Sequence, residues 1–202
     1  VDKKKGKPME KIILSTKKEL EIYMNPVRQQ LLGILEKSKE PMTPKMLADK
    51  MDISASSVQH HIGKLLSLGV IELHHTKQIN GITARFYKPT YAMVQIGLEK
   101  DDSMTSQREV YLQEKVARTY DGFMAQKKKV LEGLKEKEEI NQEMEWQLGD
   151  ILTGVMHLTG EESKELFQLI SGYIEAHSTP SAEKSPWEYA LILYHAGEDL
   201  NE

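Results

Sequence analysis

The sequence predicts a mainly α-helical chain built in two parts. Three observations carry that reading. Residues 43–69 hold two short amphipathic helices joined by a tight turn. An Asn80-Gly81 hairpin signal comes directly after them. From Thr105 the chain then keeps helical spacing for about 70 residues.

Residues 1–20 carry seven lysines: Lys3, Lys4, Lys5, Lys7, Lys11, Lys17 and Lys18. They are expected to form a solvated, partly disordered basic leader, with Leu14 and Leu20 the first hints of structure. A first domain is read over 21–92. Asn25-Pro26 opens a helix, because Asn accepts a bond from a free N–H and Pro fits the first helical position. Val27, Leu31, Ile34 and Leu35 then mark one stripe, and Pro41 stops the helix.

Thr43-Pro44 repeats the same start. Met46, Leu47 and Met51 recur on one face. Asp52 suits a turn, Ile53 is an apolar plug, and Ser54 caps a second helix. In that helix Val58, Ile62, Leu65 and Leu66 mark the buried face, and Gly69 supplies the left-handed residue that ends it. Two short helices around such a turn make a helix-turn-helix. With Val58 and Ile62 inward, Ser56, His60, Gly63 and Ser67 point outward, flanked by Ser57, Gln59 and Lys64. The first half of that face is small, polar and uncharged, as a helix that touches base edges in a major groove requires. An ordinary helix pair inside a helical core would share the spacing.

The residues after Gly69 favour the DNA-reading helix. There the apolar period changes, and the chain runs through QINGITARFYKP. Asn80 and Gly81 both tolerate positive φ. Ile82, Ala84 and Phe86 alternate with Thr83, Arg85 and Tyr87, as in a half-buried strand. A hairpin directly after a recognition helix is a wing. Lys77, Arg85 and Lys88 lie on it, within reach of phosphates. Histidines come as two adjacent pairs, His60-His61 and His74-His75. Helix neighbours point about 100° apart, so neither pair is a chelate by itself. His61 is expected to be packed and hydrogen-bonded, and His74 and His75 to alternate faces.

Residues 24–90 resemble the winged-helix domain of bacterial and archaeal ArsR-type transcriptional regulators. The residues that carry the likeness are NPVRQQLLGIL, then TPKMLADKMDISASSVQHHIGKLLSLGVIEL, then the wing turning at Asn80-Gly81. The resemblance implies dimeric, sequence-specific binding to operator DNA, with a repressor the expected role. The cysteine thiolates of the metal-sensing branch have no counterpart here, since the chain has no cysteine.

Residues 93–104 read as a linker, and 105–202 as a helical dimerisation and effector domain. Val110, Tyr111, Tyr120 and Phe123 belong to a first long helix, its charged face tied by pairs such as Lys128–Glu132 and Lys135–Glu139. Ile140, Met144, Leu148, Ile151, Leu152, Val155 and Met156 are expected to stripe a second helix. Thr159-Gly-Glu-Glu162 is a capping box that opens a third. STPSAEKSP reads as a loop and WEYALILYH as a short buried strand, with a final helix turn the alternative. This region is too apolar for three lone helices, which implies a surface shared with a second copy.

Charge divides the chain. Residues 1–92 hold sixteen basic and nine acidic side chains, and the rest hold eleven and twenty-two. A polyanion partner suits only the first part. The lack of cysteine and of any long apolar run points to a cytoplasmic protein. No phosphate loop, zinc-protease spacing or nucleophile motif is present, so the chain is read as a binding protein without cofactor or metal. Asp150 and His157, seven apart, are the weak metal candidate, and surface placement is preferred. The expected DNA-binding residues are Ser56, Ser57, Gln59, His60, Lys64, Lys77, Arg85 and Lys88. The expected partners are double-stranded DNA, a second copy and an unidentified small-molecule effector. The rival reading is a winged helix that docks a protein partner instead of DNA.

Overall fold

The computed structural model describes residues 11–96, 103–134, 148–181 and 183–197. Its elements run β1 (Lys11–Leu14), α1 (Lys17–Tyr23), α2 (Pro26–Lys37), α3 (Pro44–Met51), α4 (Ala55–Ser67), β2 (Ile71–Ile79), β3 (Ile82–Pro89), β4 (Met93–Ile96), α5 (Thr105–Leu134) and α6 (Gly160–His177). The chain divides into two compact units. One comprises Val1–Arg108 and Leu158–Pro186, the other Glu109–His157 and Trp187–Glu202.

Helices α2, α3 and α4 form as their caps dictate. Asn25, Thr43 and Ser54 each accept a backbone N–H at the third helical position. Pro26 and Pro44 occupy first-turn positions, where no N–H is needed. Asp52 ends α3 with φ +53, a left-handed conformation that aspartate tolerates. Leu31, Leu35, Leu47, Val58, Ile62 and Leu65 are buried and make the trihelical core. Met46 and Leu66 depart from expectation: both are exposed, because Ala48 and Leu65 take the core-facing places beside them.

The expected leader is structured from Lys11 onward. Strand β1 pairs in parallel with β4, placing Leu14 opposite Ile96, and Leu14 and Leu20 are buried. Thr16 and Glu19 form a capping box at the start of α1. The end of α1 is satisfied from α2: Gln29 Nε2 donates to the Tyr23 carbonyl at 2.7 Å, and Arg28 donates to the carbonyls of Ile22 and Glu21. Such bonds fill acceptors that a helix end leaves open. The partner strand β4 lies inside the stretch read as a linker, which therefore begins with four ladder residues.

Strands β2 and β3 form an antiparallel hairpin that turns at Asn80 (φ +48) and Gly81 (φ +79), the positive-φ pair of a type I′ turn. Burial along β3 rises toward its base, with Thr83 and Arg85 exposed and Ala84 and Phe86 half-buried. Tyr87 and Pro89 are buried, whereas Ile82 is 72% exposed. The main chain of Tyr87 exchanges two hydrogen bonds with Met42, both 2.9 Å, in the segment between α2 and α3. That bridge holds the base of β3, at Tyr87, against the core. A bulge between Leu73 and His75 leaves His74 unpaired in the ladder. His74 and His75 therefore meet, Nδ1 to Nδ1 at 2.7 Å, rather than alternating faces.

Helix α5 is one unbroken run of 30 residues that includes Val110, Tyr111, Tyr120 and Phe123, and Lys128 pairs with Glu132 at 3.9 Å. Lys135–Glu139, Ile140 and Met144 lie outside the described residues. The expected second helix does not continue through Ile151–Met156. Gly149 sits at φ +70, and no regular structure appears from there until Gly160. Ile151, Thr153 and Val155 are β-branched and Gly154 is a glycine, all poor helix formers without burial to compensate. The capping box of Thr159 and Glu162 then opens α6 as expected. Residues 187–195 are corrected too. They form no strand, and Trp187, Tyr189, Leu191, Ile192 and Tyr194 are exposed rather than buried.

Candidate nucleic-acid interface

The outward face of α4 is built by its inward one. Val58, Ile62 and Leu65 are locked in the core. The 3.6-residue period then turns Ser56, Gln59, His60, Gly63 and Ser67 to solvent, and all five are exposed. Ser54 Oγ accepts the Ser57 N–H at 3.2 Å, which fixes where the helix begins and hence which residues stand in its first turn. Ser57 and Lys64 are half-buried at the edges of the stripe. Ser67 Oγ donates to the Lys64 carbonyl at 2.7 Å, so that hydroxyl is engaged within the helix. Ser56, Gln59 and His60 offer donors and acceptors to a groove. At Gly63 an added Cβ would meet nothing within 4 Å. The packing therefore does not demand glycine there, and its missing side chain leaves the helix backbone uncovered at this point.

His61 lies one residue behind this face and is half-buried. Its Nδ1 is buried with no hydrogen-bond partner among the described residues, unlike the hydrogen-bonded packing expected of it. Burial holds its pKa below the ordinary histidine value, and the charges of Arg28 and His60 push the same way. The His60 ring meets that of His61 edge-on at 5.7 Å.

The wing divides its basic residues. Lys77 and Arg85 are exposed and form no ion pair among the described residues. Lys88 pairs with Glu72 across the hairpin at 3.2 Å, which reduces the charge it offers outward. His75 stacks on Phe86 with centroids 4.4 Å apart and planes 9° from parallel. Sequence reasoning missed the aromatic stack, which follows from the pairing of His75 with Phe86 after the bulge, and the exposed Ile79 and Ile82, which lie at the tip away from buried Tyr87 and Pro89.

The described residues contain no group of three metal-ligating side chains. Asp150 and His157 no longer share a helix face, since residues 149–159 are not helical. Among the described residues no helix is long and apolar enough to cross a membrane.

A capped recognition helix with a bare polar stripe, and a basic hairpin after it, define a winged helix-turn-helix protein of the DNA-binding regulator class. A helix-turn-helix domain family matches residues 23–74, which hold α2, α3, α4 and the start of β2. No curated protein matches the chain. Among solved structures, NolR from Sinorhizobium fredii is similar at 22% identity, over 46% of this chain and 76% of that one, with a TM-score of 0.29.

Proposed function

We propose that the chain is a homodimeric, sequence-specific DNA-binding regulator of transcription, a repressor of the ArsR type. It holds operator DNA without catalysing a reaction. The single observation that carries this reading is the exposed stripe Ser56, Gln59, His60, Gly63 on a helix whose other face is fully buried. Such a stripe is rigidly presented, polar and free of carboxylates, which suits base edges between phosphate rows. The wing adds Lys77 and Arg85 as backbone contacts. The C-terminal region supplies the second copy, and a small-molecule effector, unidentified, would act there.

The test is a binding titration of the full chain against duplexes selected from a random pool, repeated across a range of salt. The expected result is a selected consensus, with affinity falling as salt rises. A chain that enriches no sequence and binds no duplex at low salt would be a protein-docking module instead.

A further inference from the structure

We propose that Ile79 and Ile82 at the wing tip form an apolar wedge that enters the DNA minor groove and makes affinity depend on base steps the recognition helix does not touch. This rests on the DNA-binding reading proposed for the chain. Ile82 is 72% exposed and Ile79 44%, and they face each other across the Asn80-Gly81 turn. The turn itself needs only Asn80 and Gly81, whose positive φ values close it. Register next to the tip is held by Gln78, whose Nε2 donates to Thr83 Oγ1 at 2.7 Å. Their cross-strand pairing supports the hairpin, yet much of their apolar surface stays uncovered.

The surroundings of the tip match one kind of surface. Beyond the His75–Phe86 pair the hairpin extends by four further cross-strand pairs, roughly 13 Å of ribbon. Two pairs behind the tip, Lys77 lies on the same face as the isoleucines. One step further back, Arg85 lies on the opposite face. A basic side chain on each face, with an apolar end between, complements a groove whose two walls are phosphate rows and whose inner edges are sugar C–H groups. The minor groove, about 6 Å wide, excludes a whole ribbon but admits a two-residue turn with its flanking side chains. Apolar side chains pushed against base steps there favour sequences that deform easily.

The experiment uses the full chain, the Ile79→Ser/Ile82→Ser double variant and the conservative Ile82→Val. Each is put through selection from a random duplex pool. The parent's selected duplex is then rebuilt with 2,6-diaminopurine replacing adenine, one position at a time. That base adds an amino group in the minor groove and leaves the major-groove edge of the pair unchanged. The parent and Ile82→Val should lose roughly tenfold in affinity at one or more positions flanking the half-site. The double variant should keep the central consensus, lose the flanking preference and be insensitive to those substitutions. A double variant with the parent's affinity, flanking preference and diaminopurine sensitivity would overturn the wedge and leave the tip as a surface for a protein partner. A parent that binds no duplex would overturn the DNA reading, and the wedge with it.

Discussion

Gln59 and His60 are exposed on the first half of α4, where a docked helix meets base edges. Gln59→Ala and His60→Ala should each weaken specific binding by roughly 1–3 kcal/mol and non-specific binding far less. Variants that keep the parent's preference for its selected duplex over random DNA would refute the assignment. Gly63 predicts effects of opposite sign. Alanine there meets no neighbour, so Gly63→Ala should stabilise the fold by roughly 0.5–1 kcal/mol while weakening DNA binding. Thermal melting and anisotropy on the same sample separate the two, and binding that improves with stability would show that nothing approaches the helix at this point. His61 makes a pH prediction. Its folded-state pKa lies below the unfolded one, chiefly through burial. The unfolded chain therefore takes up this proton first as pH falls. The stability held by neutral His61 is complete above the ordinary histidine value of about 6.5 and declines below it, until the folded form also protonates. His61→Phe should flatten that acid-side loss in melts at stepped pH. An equal slope in parent and variant would mean that His61 does not drive it.

Elements with a local chemical signal were legible in the sequence. The Asn25, Thr43 and Ser54 caps, the Thr159 capping box and the Asn80-Gly81 turn all act within three or four residues of themselves, and each stands where its signal placed it. Features set by distant contacts were not. Strand β1 needs β4, about 80 residues away in sequence, to become a strand at all. The base of β3 is held by Met42, a contact that the alternation of β3 alone does not contain. The same limit applied at the candidate site. The polar stripe of α4 was readable from its period, but the capture of Lys88 by Glu72 and the bare Ile79 and Ile82 came from pairing and bulge. The wing's charges carry a prediction of their own. Lys77→Ala and Arg85→Ala should each reduce the magnitude of the log–log salt slope by about 0.9, because each lost phosphate contact releases one fewer set of counterions. Lys88→Ala, already paired with Glu72, should change it less. Three equal slopes would remove the distinction between free and paired wing cations.

At the scale of the whole molecule, the two units differ in how well they bury themselves. Within the first, residues from α1 to β3 enclose a continuous core of leucine, isoleucine and valine, although α6 leaves Leu169 and Tyr173 exposed. The second leaves Leu152 90%, Val155 78% and Tyr194 77% exposed, and Met156, Trp187, Tyr189 and Ile192 more than half exposed. Seven such side chains, mostly uncovered, hold on the order of 800 Å² of apolar surface, about one partner's share of a standard interface. A monomer rarely exposes that much without use. The extended segments that carry it also lack the helical hydrogen bonds that would hold them alone, so their order is expected to come with association. A second copy suits the proposed function as well. One recognition helix covers only a few base pairs, too few to specify a genomic site, whereas two would read half-sites with centres roughly 10–10.5 base pairs or a multiple apart. The full chain should therefore sediment as a dimer at micromolar concentration. A fragment ending near Met104 should fold, remain monomeric and bind a two-half-site duplex poorly. The paired substitutions Leu152→Ser and Val155→Ser in the full chain should shift it toward monomer without lowering the melting temperature of a helix-turn-helix whose core they do not enter. A monomeric full chain, or a fragment that dimerises as well as the parent, would place the second copy elsewhere and leave the exposed surface of residues 151–156 and 187–194 to some other partner.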